Sequence, residues 1–148
     1  MSKPKILLSY LLCNWGGCVY FFLEVIYKTI RGEPERISWT MLLVAIILSI
    51  PLERGGAELP WSMPLALQAL VCTILITITE FIVGLILNVW LGLGVWDYSH
   101  LPGNILGQIC PQFMCVWYLL SFIFIPVFDW IKYAILGGEV PRYKLFRW

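Results

Sequence analysis

Charge is scarce in this chain. Only 13% of its 148 residues are charged, 10 Lys and Arg against 9 Asp and Glu, and there is a single histidine. A soluble domain typically carries about 25% charged residues. With 60% of positions hydrophobic, the polar groups are too few to cover an exterior that faces water, and the solvent this composition suits is lipid. A net charge of +1 gives no electrostatic case for nucleic acid as a partner. No Gly-rich phosphate loop of the P-loop type is present, which excludes ATP hydrolysis by that route. The length accommodates four spans of about 20 residues each and leaves no room for a soluble catalytic or nucleotide-binding domain.

Cysteine spacing excludes a structural zinc site. The five cysteines stand at 13, 18, 72, 110 and 115, and gaps of five residues do not match the two-to-four-residue spacing of zinc ligands. Small apolar residues are the expected role for all five. No metal and no cofactor is expected. The opening Met1-Ser2-Lys3-Pro4-Lys5 and the apolar run after it imitate a signal peptide. The run is too long for an h-region, contains Glu24 and lacks a small-x-small cleavage site. It reads as the first retained span.

What is present is an all-α membrane protein of about four transmembrane helices in a single domain, with an irregular segment before the last helix. Span 1 covers about Ile6 to Ile30, and a charged link from Lys28 to Arg36 follows it. Span 2 is short, about Ile37 to Leu52, with Pro51 near its end and a polar turn, Glu53 to Glu58, after it. Span 3 starts near Trp61 and stays apolar to about Trp96, a stretch that as one straight helix would reach ~54 Å, well beyond the ~30 Å hydrocarbon core. Gly92 and Gly94 mark where it ends or bends. The segment from Asp97 to Pro111, rich in Gly, Pro and Asn, lies outside the bilayer or re-enters it, and span 4 runs from about Gln112 to Leu136.

With four spans, the side of the termini carries seven Lys and Arg and the opposite side three. The bias predicts cytoplasmic termini in a cell (inner) membrane. Most of the eight tryptophans fall near span ends, as an interfacial belt would have them.

Ionisable groups inside apolar runs carry the functional signal, since Asp at a helix centre costs at least about 2.5–3.5 kcal/mol on insertion scales. Glu24 lies 18 residues past Ile6 and Glu80 lies 19 past Trp61, about 27 and 28 Å along two outward spans. Both carboxyls are thus expected at one depth, in the outer half, near the Asp97–Pro111 segment. No Lys or Arg falls centrally in any span. The candidate partners are hydroxyls, amides, indoles, Asn88, His100 and Lys28. The acids are either protonated and hydrogen-bonded or ionised around a cation, and a purely structural network that fixes helix register competes with ligand binding. Asp129 is expected at the inner interface near Lys132, as a snorkelling charge. Asp97, Ser99 and His100 imitate hydrolase chemistry only in composition, because residues within four positions do not reach relay geometry.

Around Glu80 the residues meet a known pattern. Thr79-Glu80-Phe81-Ile82-Val83-Gly84, then Val95-Trp96-Asp97-Tyr98-Ser99, Asn104, Gly107, Cys110 and Trp117, resembles the putative ABC-transporter type IV family. Span 1, with Gly17, Tyr20, Glu24 and Val25, resembles the family's start. The link Arg31 to Arg36 departs from the family's Asn-Arg-Gly-rich segment. The resemblance implies a permease subunit that works with a separate ATPase or other membrane subunit. Together with the intramembrane acids and their local partners, it directs attention to Glu24, Glu80, Trp96, Asp97, Tyr98, Ser99, Asn104 and Asn88 as ligand- or ion-binding residues. The leading expectation is a transporter- or permease-like homo-oligomer in the lipid bilayer, not an enzyme, with an outer-half site on the two glutamates. The alternative is a non-transporting scaffold that binds a partner protein or lipid.

Overall fold

A computed structural model describes residues 3–146. Among them the chain forms four long helices that run alternately up and down: α1 (Lys3–Ile30), α2 (Trp39–Glu58), α3 (Leu65–Gly84) and α4 (Pro111–Leu136). All four are long and apolar enough to cross a membrane, α3 together with the π-helical turn Leu85–Trp90 that extends it. The fold is an all-helical, four-span membrane protein. One end of the bundle, the terminal end, gathers the start of α1, the α2–α3 turn and the end of α4. The other, the loop end, carries the α1–α2 link and residues 91–110.

α2 is the central helix. Half of its apolar window is buried, against a third or less for the other three, because it packs on α1, α3 and α4 alike. Val44 and Leu48 of α2 cluster with Cys72 and Ile76 of α3 and Ile125 and Phe128 of α4, and Leu8 and Leu12 of α1 join them. The outward faces keep large apolar side chains exposed, Phe22, Ile78 and Leu119 among them, which is the surface lipid covers.

Span 2 is longer than the sequence indicates. The supposed polar turn Glu53 to Glu58 is the last part of α2, and Pro51 sits inside the helix. Two conditions allow this. Glu53 finds partners on neighbouring helices, described below, and Arg54 pairs with Glu58 one turn on at 2.5 Å. Gly55 lets α3 come close: a Cβ there would stand 2.6 Å from the Cys72 Sγ.

α3 starts at Leu65, four residues after Trp61, because Pro60 and Pro64 shape the turn before it. Its first amides are capped from far along the chain: Leu65 N–H donates to the Lys144 carbonyl at 2.7 Å and Ala66 N–H to that of Leu145 at 3.1 Å. Helical backbone ends at Trp90, and Gly92 and Gly94 follow with φ of 64° and 57°. α4 begins at Pro111, whose missing N–H costs nothing at a helix start.

α1 and α2 meet at Gly17, where a Cβ would lie 2.6–2.7 Å from Ile46, two of the atoms being backbone. Gly17→Ala therefore forces the two helices apart and should destabilise the protein by about 1–3 kcal/mol. Gly56→Ala meets only ordinary contacts from 3.4 Å and serves as the control. Thermal unfolding in detergent distinguishes them, and equal midpoints would refute the close packing at Gly17.

Candidate functional site

Glu80 is the centre of the loop-end site. It lies on the inward face of α3, 3% exposed. Its Oε1 accepts a hydrogen bond from the Tyr98 hydroxyl at 3.1 Å and its Oε2 one from the Trp117 indole N–H at 2.9 Å. Both donors are neutral. Tyr20 of α1 packs on Trp117 with ring centroids 4.7 Å apart, and Tyr98 stacks on Phe113 at 4.5 Å. Burial holds the Tyr98 hydroxyl far above its ordinary range, and the charges at Glu80 and Glu24 act in the same direction. Tyr98 therefore remains a proton donor to Glu80 at all physiological pH.

Above this layer opens a cleft of about 510 Å³, lined in part by Glu24, Lys28, Arg36, Asp97, Tyr98 and His100. Glu24 and Tyr98 share its wall, whereas Glu80 stands behind Tyr98. Glu24 has a cationic partner: Lys28, one turn on, places its ammonium 3.3 Å away and donates to the Arg36 carbonyl at 2.9 Å.

The remaining predicted residues shape the loop that roofs the site. Trp96 is buried and donates its indole N–H to the Gln108 carbonyl at 3.0 Å. Asn88 accepts from Val95 N–H at 2.7 Å and donates to Gln108 at 2.8 Å, which ties the end of α3 to the loop. Asp97 is exposed, and its Oδ1 accepts from the Ser99 hydroxyl at 2.5 Å and the Ser99 amide at 2.8 Å. Those bonds hold the Asp97 carboxyl below its usual value, so this turn is intact at neutral pH and loosens only as pH falls through that lowered range. Asn104 donates to the carbonyls of Ser99 and Leu101 and accepts from the Gly107 amide. Glu24, Trp96, Asp97 and Tyr98 thus meet at one cleft, Glu80 lies beneath it, and Ser99, Asn104 and Asn88 hold the loop in shape. Sequence reasoning offers indoles as partners for the glutamates without singling out Trp117, since an indole in an apolar run reads equally as belt or core.

A second polar cluster occupies the terminal end. Glu53 is 1% exposed; its Oε1 pairs with the Lys132 ammonium at 2.6 Å and its Oε2 accepts from the Ser9 hydroxyl at 2.5 Å. One carboxylate thus joins α1, α2 and α4. Asp129 is buried and accepts from the Tyr143 hydroxyl, so it does not snorkel as the sequence suggests: the chain beyond α4 folds back over it. Burial and the Asp129 carboxylate together raise the Tyr143 hydroxyl well above its ordinary range. A cleft of about 710 Å³ opens beside these residues.

The five cysteines are free, with Cys13, Cys72 and Cys110 buried. Among the described residues no three His, Cys, Asp or Glu side chains converge as a metal-binding group.

The family model for putative ABC-transporter type IV matches residues 39–140. The chain belongs to this family. The stretch matched to the putative ABC-transporter type IV model begins at Trp39, so it takes in α2, which the motif resemblance leaves aside, and ends just past α4. It holds Glu80, Tyr98 and Trp117 together with Glu53, Asp129 and Lys132, whereas Glu24, Lys28, Tyr20 and Ser9 of α1 lie outside it. No curated protein and no solved structure matches the chain.

Removing one member of a buried ion pair leaves the other charge uncompensated, at a cost of about 3–5 kcal/mol. Lys132→Met should therefore lower stability by that order, and adding Glu53→Gln to it should recover most of the loss. Chemical or thermal unfolding of the single and double variants measures this. A Lys132→Met protein as stable as the parent would show that the pair contributes no stability.

Proposed function

We propose that the protein is a transporter- or permease-like membrane subunit whose cargo is a cation or a proton taken up at Glu80. The observation that supports this reading is a carboxylate buried within a membrane span whose hydrogen-bond partners, Tyr98 and Trp117, are both neutral. An intramembrane acid without a matching cation needs a proton or a ligand to balance it. The cleft above Tyr98 gives an approach from the loop end, and Glu24 with its Lys28 partner lines that approach. Irregular backbone at 91–110 suits a site wall, because non-helical chain at membrane depth is tolerated where it is covered by protein or lines a cavity. The reading includes no catalysis. It places the basic terminal end in the cytoplasm of an inner membrane, where a separate ATPase or other membrane subunit would join it. Four spans enclose little volume, so a complete pathway would form between copies.

A scaffold role has its own support. The polar groups of Asp97, Ser99 and Asn104 are used in bonds within the loop. On this second reading Glu80 only locks Tyr98 and Trp117 in place.

The two readings differ in a flux experiment. Protein in liposomes is supplied with a cation or pH gradient, and internal pH and sodium are followed with dyes. Glu80→Gln keeps one amide oxygen to accept from the Trp117 indole N–H and an NH2 that can donate to the Tyr98 hydroxyl oxygen, so the fold should survive while flux falls to background. A folded Glu80→Gln protein that transports at the parent rate would overturn the transport reading. Glu80→Leu leaves both donors unpaired and should in addition lower stability by about 1–3 kcal/mol.

A further inference from the structure

Two buried hydroxyls have no hydrogen-bond partner among the described residues: Thr77 Oγ1, three residues before Glu80 on α3, and Ser121 Oγ, four residues after Trp117 on α4. Thr77 is 6% exposed and Ser121 0%. Their state contrasts with that of other hydroxyls in the bundle, two of them, Thr73 and Thr79, on α3 itself. Thr29, Ser49, Thr73 and Thr79 each donate to the carbonyl four residues earlier, at 2.7–2.9 Å, which is the usual way a helix satisfies Ser and Thr away from water. Thr77 and Ser121 make no such bond. A buried polar group left over in this way points to a partner that is neither backbone nor side chain.

Helix register places the two together. Thr77 precedes Glu80 by three residues on α3 and Ser121 follows Trp117 by four on α4, and residues three or four apart share a helix face. α3 and α4 run in opposite directions and are joined by the Trp117–Glu80 hydrogen bond. One turn toward the terminal end on each therefore leads to the same layer. Register thus sets a carboxylate and two hydroxyls in adjoining layers of the α3–α4 seam. Tyr98 and Trp117 each use one lone-pair direction on a different Glu80 oxygen, and the others remain available.

We propose that Glu80, Thr77 and Ser121 form a binding site for one small monovalent metal cation of the sodium class. The donors are all oxygen, which suits a hard cation. The charge to be balanced is single, since Glu24 is matched by Lys28, whereas divalent ions are commonly held by several carboxylates or keep much of their water. The position between packed helices favours a dehydrated ion over a hydrated one. This inference rests on reading Glu80 as the cargo carboxylate, and adds the class of the cargo and two of its ligands.

Sodium itself is the probe. Unfolding midpoints of the purified protein are measured in increasing sodium chloride, with choline chloride holding ionic strength constant. Sodium should raise the midpoint saturably, as any ligand specific to the folded state does, and choline should not. Thr77→Val and Ser121→Ala remove the hydroxyls with little change of shape, and each should weaken the apparent sodium affinity about tenfold. Thr77→Ser, which keeps the oxygen, should restore most of it. Absence of a sodium effect, stabilisation by acid alone, or an undiminished sodium effect in both variants would each overturn the site. Binding is read here without flux. A Thr77-dependent sodium effect in a protein without flux would overturn the transport reading and leave the site, while flux without any sodium effect would do the reverse.

Discussion

A bilayer core offers no hydrogen-bond partners, and the bond set at Glu80 shows how far this constraint organises the molecule. The carboxylate draws the Tyr98 hydroxyl from the 91–110 segment and the Trp117 indole from α4 to one point on α3. Remove it, and two buried donors lose their acceptor at once. The seating of Trp96 against Gln108, the Asn88 clasp at the end of α3 and the stacking of Tyr98 on Phe113 all surround that point. The roof over the bundle is therefore anchored from below by a charge-capable group as well as pinned by its own turns.

The two ends of the bundle solve the same electrostatic problem differently. At the loop end, Glu24 is answered by Lys28 within a single helix, and the same ammonium reaches on only as far as the Arg36 carbonyl in the link that follows. At the terminal end, Glu53 is answered across helices by Lys132 and Ser9. That second arrangement fixes the register of α1 and α4 on the central helix, and it is why charged sequence after Pro51 continues as helix instead of turning into solvent. Glu80 is the exception to both, with hydrogen bonds but no cationic partner among the described residues.

Much of the fold was legible in the sequence because membrane burial is a one-dimensional signal. The four apolar runs, the break before Gly92 and Gly94, and the end of α4 at Leu136 all follow from where hydrophobic residues stop. The end of α2 and the start of α3 were not legible. Glu53, Arg54 and Glu58 look like a solvated turn unless Ser9 and Lys132 are known to be near, and those contacts are distant in sequence. The burial of Asp129 was not legible for the same reason: its partner, Tyr143, lies in the chain beyond the last span. At the site, Glu24 and Glu80 stand out because a charge in an apolar run is conspicuous. Trp117, Thr77 and Ser121 do not, since an indole and two hydroxyls are unremarkable residues in a span, and only the packing shows which of them lack or supply a partner.

The carbonyls of Lys144 and Leu145 close the first turn of α3, and this has a consequence for biogenesis. α3 enters the membrane before the ribosome has made the residues that cap it, so at that stage its leading amides rely on headgroups or water at the interface. Only after all four spans are synthesised does the tail reach back to replace them. Final docking of the bundle therefore waits for residues 144 and 145. A nascent chain stalled within α4 would carry its spans but leave the α2–α3 corner unsealed.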